Sequence, residues 1–299
     1  MQMKIDIMDQ SKDNQDGINT NINSVLPASP SGGERVFVIK IGGNVIDDEK
    51  NLSAFLDDVA AIKGMKLLVH GGGKIATKIG EQLGIAPNYV NGRRITDAAT
   101  IDLVTMVYGG LLNKKIVAQL QSKGCNAIGL TGADANIIPA VKRPVKEIDY
   151  GFVGDIAGAG LAATPAATPA LELFLENELT PVIAPLTHDG KGQMLNTNAD
   201  TIASALAVAL SKKYEVRLIY CFEKKGVLEN VNDNSSVITL ITRDIYKYLR
   251  DANKLFDGML PKIENAFEAI DNGVKEVIIG DAKDILRNIT AAVAGTLIK

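Results

Sequence analysis

From Arg35 onward, apolar runs of strand length alternate with segments of helical period. The first run is Val36-Phe37-Val38-Ile39-Lys40-Ile41, and further runs fall at 66–70, 125–130, 181–186, 216–222 and 274–280. Continuous apolar runs of this length predict strands buried on both faces of a mostly parallel sheet. Between them, apolar residues recur at helical spacing over 51–63 (Leu52, Phe55, Leu56, Val59, Ile62) and 74–83. The same period runs unbroken from Asp97 to Lys123 and predicts one long helix. Alternation of this kind predicts an α/β protein with helices on both faces of its sheet. Ligands then gather at the carboxyl ends of the strands.

Two positions interrupt the pattern in an informative way. Lys40 lies inside the first apolar run, where an unpaired ammonium costs several kcal/mol or loses its proton. The pattern therefore places Lys40 at the strand's carboxyl end, facing an anion. Gly42-Gly43 follow it, and Gly71-Gly72-Gly73 follow the next strand after His70. Glycines there let a backbone or ligand approach closely, so the edge reads as a phosphate site.

No Gly-x-x-x-x-Gly-Lys-Ser/Thr loop occurs at either cluster. Gly71-x-Gly73-x-x-Ala76 does follow a strand and open a helix, as a dinucleotide fingerprint requires. However, the region expected to carry an acidic ribose ligand reads Val90-Asn91-Gly92-Arg93-Arg94. Asn198 reads as a helix cap and Asp200 as a first-turn carboxylate of the Ala-rich segment that follows. Pro261 fits the start of another helix, which puts Lys262 in its first turn. A cation opposes the helix dipole there, so an anionic partner would account for it, as would simple solvation.

Composition narrows the class. The 299 residues carry a net charge of −3 with interspersed signs, so no basic patch predicts a nucleic-acid partner or an anionic membrane. No run of about 18 apolar residues occurs, and the N-terminus lacks a signal-peptide pattern, which predicts a cytoplasmic protein. Cys125 and Cys221, each in an apolar run, read as free core thiols. Residues 1–34 are polar and predict a disordered arm. The uncharged Gly/Pro-rich stretch 157–170 predicts a mobile loop, with a lid as its functional reading. Tyr150-Gly151-Phe152-Val153-Gly154-Asp155 before it predicts a strand or hairpin near the substrate edge.

Taken together, five motifs resemble the amino acid kinase family, specifically its acylglutamate branch. They are Val38-Ile39-Lys40-Ile41-Gly42-Gly43, Val69-His70-Gly71-Gly72-Gly73, Asn91-Gly92-Arg93-Arg94-Ile95-Thr96, Asn196-Thr197-Asn198-Ala199-Asp200 and Asp257-Gly258-Met259-x-x-Lys262. The resemblance spans about 36–299 and implies a three-layer αβα sandwich around a mainly parallel sheet. It implies an N-acylglutamate-binding and dimerisation lobe over 35–195 and an ATP-binding lobe over 196–299. The implied reaction is ATP-dependent phosphorylation of the side-chain carboxylate of N-acetyl-L-glutamate, in arginine biosynthesis. N-succinyl-L-glutamate is the alternative acceptor, and an NAD(P)-binding oxidoreductase the more distant one.

The resemblance also implies roles. Lys40 and Lys262 flank the transferring phosphoryl group, Asp200 orients both, and Gly43, Gly72 and Gly73 donate backbone N–H groups. Arg94 grips the substrate α-carboxylate and Asn196 its acylated amide. The stretch Phe222–Leu228, with Gly226 and Lys224, lies near the nucleotide, and Mg²⁺ arrives with ATP rather than in a protein metal cage. Such chemistry needs positioning and charge stabilisation and no general base, since the carboxylate is already ionised. His70 thus reads as structural, Arg93 as a surface neighbour, and Lys142, Arg143 and Lys146 as surface charge. Arginine-inhibited relatives carry an amphipathic N-terminal helix and a C-terminal stretch that this chain lacks. A homodimer through the 97–123 helix, without arginine feedback, is expected.

Overall fold

The computed structural model describes residues 34–90, 92–156, 168–230, 232–252, 254–255 and 259–299. The predicted arm up to residue 33, most of the 157–170 stretch, and Asn91, Asp257 and Gly258 lie outside the described residues.

An eight-stranded sheet forms the middle layer. Its spatial order is Leu240–Ile241, Thr296–Ile298, Glu276–Asp281, Glu215–Phe222, Arg35–Ile41, Met65–His70, Thr180–Ile183 and Ala127–Leu130. All neighbours pair in parallel except 276–281 with 296–298. The first strand sits centrally, with 65–70 on one side and 215–222 on the other. The chain first builds outward on the 65–70 side, then returns to add 215–222 on the opposite flank. The carboxyl end of the Lys40 strand is therefore a topological switch point, where such sheets open a ligand crevice.

Strand periodicity decides which face each residue meets. Val36 and Val38 enter one core with Ile202, Leu206, Ile263 and Phe267 from the Ala199–Leu210 and Leu260–Asp271 helices. Phe37, Ile39 and Ile41 enter the other, with Leu56 and Val59 of the Glu49–Ala61 helix and Val104, Leu112 and Ile116. Period two therefore assigns Lys40 to the face of the Ala199–Leu210 helix. That placement is what lets Asp200 reach it. Among the described residues no helix is long and apolar enough to cross a membrane.

Three expectations are corrected. The long helix is not regular: Ala98–Val104 and Asn113–Ser122 are α-helical, but Thr105–Leu112 winds as a π-helix. Gly109-Gly110 lie inside the wide turn, where absent side chains lower the steric cost of the altered winding. The run 181–186 is two strands, because Ala184-Pro185 breaks it and Leu186–His188 turns away to pair with Met194–Asn196. Pro185 has no N–H to continue the ladder. At the end of the predicted loop, residues 168–170 already open the helix Thr168–Glu176. Both cysteines are free and buried.

Candidate active site

The Ala199–Leu210 helix starts where the sequence says it should. Asn198 caps it, its Oδ1 accepting from the backbone N–H groups of Asp200 (2.8 Å) and Thr201 (3.2 Å). Asp200 thus projects from the first turn toward the sheet's carboxyl edge. Its Oδ1 stands 2.8 Å from the Lys40 ammonium, at ion-pair distance though off the direction of a hydrogen bond. In register beside Lys40, Tyr220 donates its hydroxyl to the backbone carbonyl of Asp200 at 3.3 Å and lies 2.9 Å from the Ser204 hydroxyl. The expensive charge of the first strand has its partner.

Lys262 arrives from a second helix on the same face of the sheet, third in Leu260–Asp271 with Pro261 before it. Its ammonium lies 3.6 Å from the centre of the Phe222 ring, and the Lys40 ammonium lies 5.4 Å from the same ring. Burial holds the Lys262 pKa below the ordinary lysine range; Asp200 pulls it back up and Lys40 pushes it further down. Two ammoniums thus meet around one carboxylate and one aromatic face.

A cleft of about 280 Å³ opens beside this cluster, walled by Lys40, Gly42, Gly43, Gly71, Gly72, Gly73, Arg94, Tyr108, Val153, Gly154 and Asn196. Gly43 adopts φ 56° and Gly72 φ 152°, both in the region that disfavours side chains. A Cβ at Gly72 would also stand 2.4 Å from Leu112 Cδ1 and 3.1 Å from the Tyr108 ring. The π segment therefore presses directly on the glycine turn. Below that turn His70 is fully buried. Its Nδ1–H donates to the Gly71 carbonyl (2.8 Å) and its Nε2 accepts from the Asn113 amide (3.3 Å). Burial lowers its pKa to about 4, so the ring is neutral. The buried neutral ring thereby ties the end of the strand Met65–His70 to Asn113.

At the other end of the cleft, Arg94 is buried on a short ribbon opposite Tyr89. Its Nη2 shares its two N–H groups among the Gly73 carbonyl (2.9 Å), Thr77 Oγ1 (2.7 Å) and the Tyr89 hydroxyl. The Tyr89 ring lies 4.7 Å from the guanidinium carbon. One nitrogen thus anchors the group. Asn196 donates its amide to Thr96 Oγ1 (3.0 Å), which donates to the Arg94 carbonyl (3.1 Å). Two motifs a hundred residues apart in sequence are stitched into one wall.

The structure brings Lys40, Gly43, Gly72, Gly73, Arg94 and Asn196 to one cleft, with Asp200 touching Lys40 and Lys262 reached across Phe222. It does not bring Lys224 or Gly226 to its walls. Gly226 is packed against the last strand, where a Cβ would meet Thr296 Oγ1 at 2.7 Å, and Lys224 is exposed. Arg143, read from sequence as surface charge, lines the cleft and pairs with Asp155 at 2.5 Å. Arg93 lines the cleft too, with its side chain exposed. Tyr89, Thr77, Tyr108 and Phe222 had no motif to announce them, although Phe222 ends an apolar strand at the ligand edge. Among the described residues no three His, Cys, Asp or Glu side chains cluster as metal ligands.

A sheet with its crevice at this switch point, two lysines around one aspartate and a glycine-lined cleft describe a phosphoryl-transfer protein. A model of the amino acid kinase family matches residues 35–281, and the chain belongs to that family. Its relatives include the acetylglutamate kinase of Phocaeicola vulgatus, 53% identical over 89% of this chain and 99% of that one. The acetylglutamate kinase of Bacteroides thetaiotaomicron is 56% identical over 85% of this chain and 96% of its own length. The solved structure of smu.665 from Streptococcus mutans superposes with a TM-score of 0.67 at 30% identity, covering 89% of this chain and 98% of that one.

Proposed function

We propose that the protein transfers the γ-phosphoryl group of ATP to the side-chain carboxylate of N-acetyl-L-glutamate, in arginine biosynthesis. A carboxylate oxygen attacks the γ-phosphorus, the bond to the bridging β–γ oxygen breaks, and an acyl phosphate and ADP leave. The observation that carries this reading is the Lys40–Asp200 pair, with Lys262 held nearby, at the mouth of a cleft whose far wall is Arg94.

In this reading Lys40 and Lys262 neutralise charge gathering on the transferring group. Asp200 holds Lys40 in place and draws Lys262 toward the same point. Gly43, Gly72 and Gly73 turn backbone N–H groups toward the phosphoryl oxygens. Arg94, anchored through one nitrogen, offers its remaining donors to the substrate α-carboxylate, for which a planar fork is suited. Asn196 meets the acylated amide. Residues 35–195 form the acylglutamate lobe and 196–299 the nucleotide lobe, with Lys224 and Gly226 serving the turn near the nucleotide. Asp200 is committed to Lys40, so Mg²⁺ is carried on the nucleotide phosphates and water.

Met106 and Leu111 are 56% and 51% exposed on the π segment. Their apolar surface supports a homodimer through the 97–123 helix; in this reading the protein works in the cytoplasm and without arginine feedback. A trapping assay tests the function: ATP, hydroxylamine and N-acetyl-L-glutamate yield a hydroxamate, whereas free glutamate does not. Equal turnover of free glutamate overturns the acceptor. Arg143 beside the cleft is the reason to run N-succinyl-L-glutamate in parallel, and faster turnover of that acceptor would reassign the acyl group.

A further inference from the structure

Phe222 closes the strand Glu215–Phe222 at the ligand edge, and it is the aromatic ring shared by both site lysines. The Lys262 ammonium stands 3.6 Å from its centroid, closer than any other cation–ring contact among the described residues. Asp200, the one carboxylate at ion-pair distance from a site lysine among the described residues, is engaged with Lys40 at 2.8 Å. No carboxylate lies within ion-pair distance of Lys262 among the described residues, whose charged surroundings are Asp200 from the Ala199–Leu210 helix, Lys40 from the first strand and Glu223 from the turn after Phe222. A half-buried ammonium beside another ammonium needs compensation, and the negative face of an aromatic ring provides it.

We infer that Phe222 is a positioning residue that seats Lys262, charged and aimed at the phosphoryl position, before the nucleotide binds. The inference rests on the proposed kinase reading for the role of Lys262, and concerns a residue outside the motifs that identify the family. Its physical logic is a division of labour. Before phosphates bind, the ring offsets part of the positive charge that Asp200 and Glu223 would otherwise balance. Once phosphates arrive they attract both ammoniums far more strongly than a ring does, so the seat releases Lys262 at no lasting cost. Phe222 therefore acts on the free enzyme rather than on the loaded one.

That distinction makes the role measurable. The pH dependence of kcat/KM reports groups in the free enzyme, and that of kcat reports groups in the complex. Removing the ring removes a contact that favours the protonated amine. The basic limb of kcat/KM in Phe222→Leu should then move to lower pH by about half a pH unit or more, while the limb of kcat stays in place. Phe222→Tyr, which keeps a π face, should match the parent. Phe222→Met supplies a second non-aromatic variant should the branched leucine disturb the strand end, and thermal melting checks the fold of each.

A readout independent of turnover accompanies the kinetics. Trace acetylation by acetic anhydride across a pH series, followed by peptide mass spectrometry, gives the midpoint at which Lys262 of the empty protein becomes reactive. The expected result is a lower midpoint in Phe222→Leu and Phe222→Met and an unchanged one in Phe222→Tyr. Parental midpoints in both non-aromatic variants, or a shift that Phe222→Tyr shares equally, overturn the inference. If Lys262→Ala leaves turnover intact, the kinase role of Lys262 fails instead, and the acetylation midpoints still decide whether the ring seats the amine.

Discussion

Asp200 can be read as an ordinary helix-start carboxylate or as the organiser of Lys40, and Asp200→Asn separates the two quantitatively. The amide is isosteric, and the cap is untouched because Asn198 accepts from the backbone N–H of residue 200. As a helix-start charge alone, the carboxylate contributes about 0.3–1 kcal/mol. As the partner of Lys40 it contributes more. The pair lies at 2.8 Å, with the Lys40 side chain 10% and the Asp200 side chain 22% exposed. Removing one member of a fully buried pair costs about 3–5 kcal/mol; the residual exposure of Asp200 brings the expectation to roughly 2–4 kcal/mol. Much of that is the cost of stranding the Lys40 ammonium, so Lys40→Met combined with Asp200→Asn should recover about 2 kcal/mol relative to Asp200→Asn alone. Urea unfolding followed by circular dichroism measures all three variants. A loss under about 1 kcal/mol in Asp200→Asn, with no recovery in the double variant, refutes the organiser role.

Gly72→Ala meets Leu112 Cδ1 at 2.4 Å on a backbone at φ 152°, and should lose about 2 kcal/mol or more, with partial recovery on adding Leu112→Ala in thermal melts. His70 has a folded pKa of about 4, below its unfolded value near 6.5, so its contribution is complete above pH 6.5 and fades as pH falls toward 4. Urea unfolding should report about 1.5 kcal/mol lost between pH 6.5 and 5, a slope that His70→Asn flattens. Arg94→Lys keeps the charge but loses the fork that both anchors to Gly73 and Thr77 and faces the cleft. Initial-rate kinetics should show KM for the acylated glutamate raised about 10- to 100-fold with a much smaller change in kcat.

Much of the architecture was legible because each level of the sequence agrees with the next. The interrupting Lys40 signalled a charged strand end, and period two then fixed the face on which its partner must lie. Asn198 announced the helix start that delivers that partner, and Pro261 placed Lys262 in a first turn. What stayed hidden depends on contacts between distant segments. The π turn at Thr105–Leu112 keeps an overall apolar helical pattern, so periodicity alone reads it as regular winding. Arg143 looks like any surface charge until the ribbon of Ala140–Lys142 with Gly154–Ile156 carries it to the cleft. The Asn196–Thr96 bond spans 100 positions, and no local pattern reports it. Phe222 heads the stretch placed near the nucleotide, but its contacts with Lys40 and Lys262 come from two other elements and no local pattern reports them.

The central claim is that a side-chain carboxylate attacks the terminal phosphorus of ATP at the Lys40–Asp200–Lys262 cluster. Oxygen tracing tests it directly. N-acetyl-L-glutamate labelled with ¹⁸O in its side-chain carboxylate is turned over with ATP, and the acyl phosphate is cleaved by hydroxylamine. Hydroxylamine attacks carbon, so the phosphate departs with the oxygen that bridged carbon and phosphorus. Phosphate carrying a single ¹⁸O from the labelled carboxylate is the predicted result; ATP consumed with unlabelled phosphate released would contradict the account.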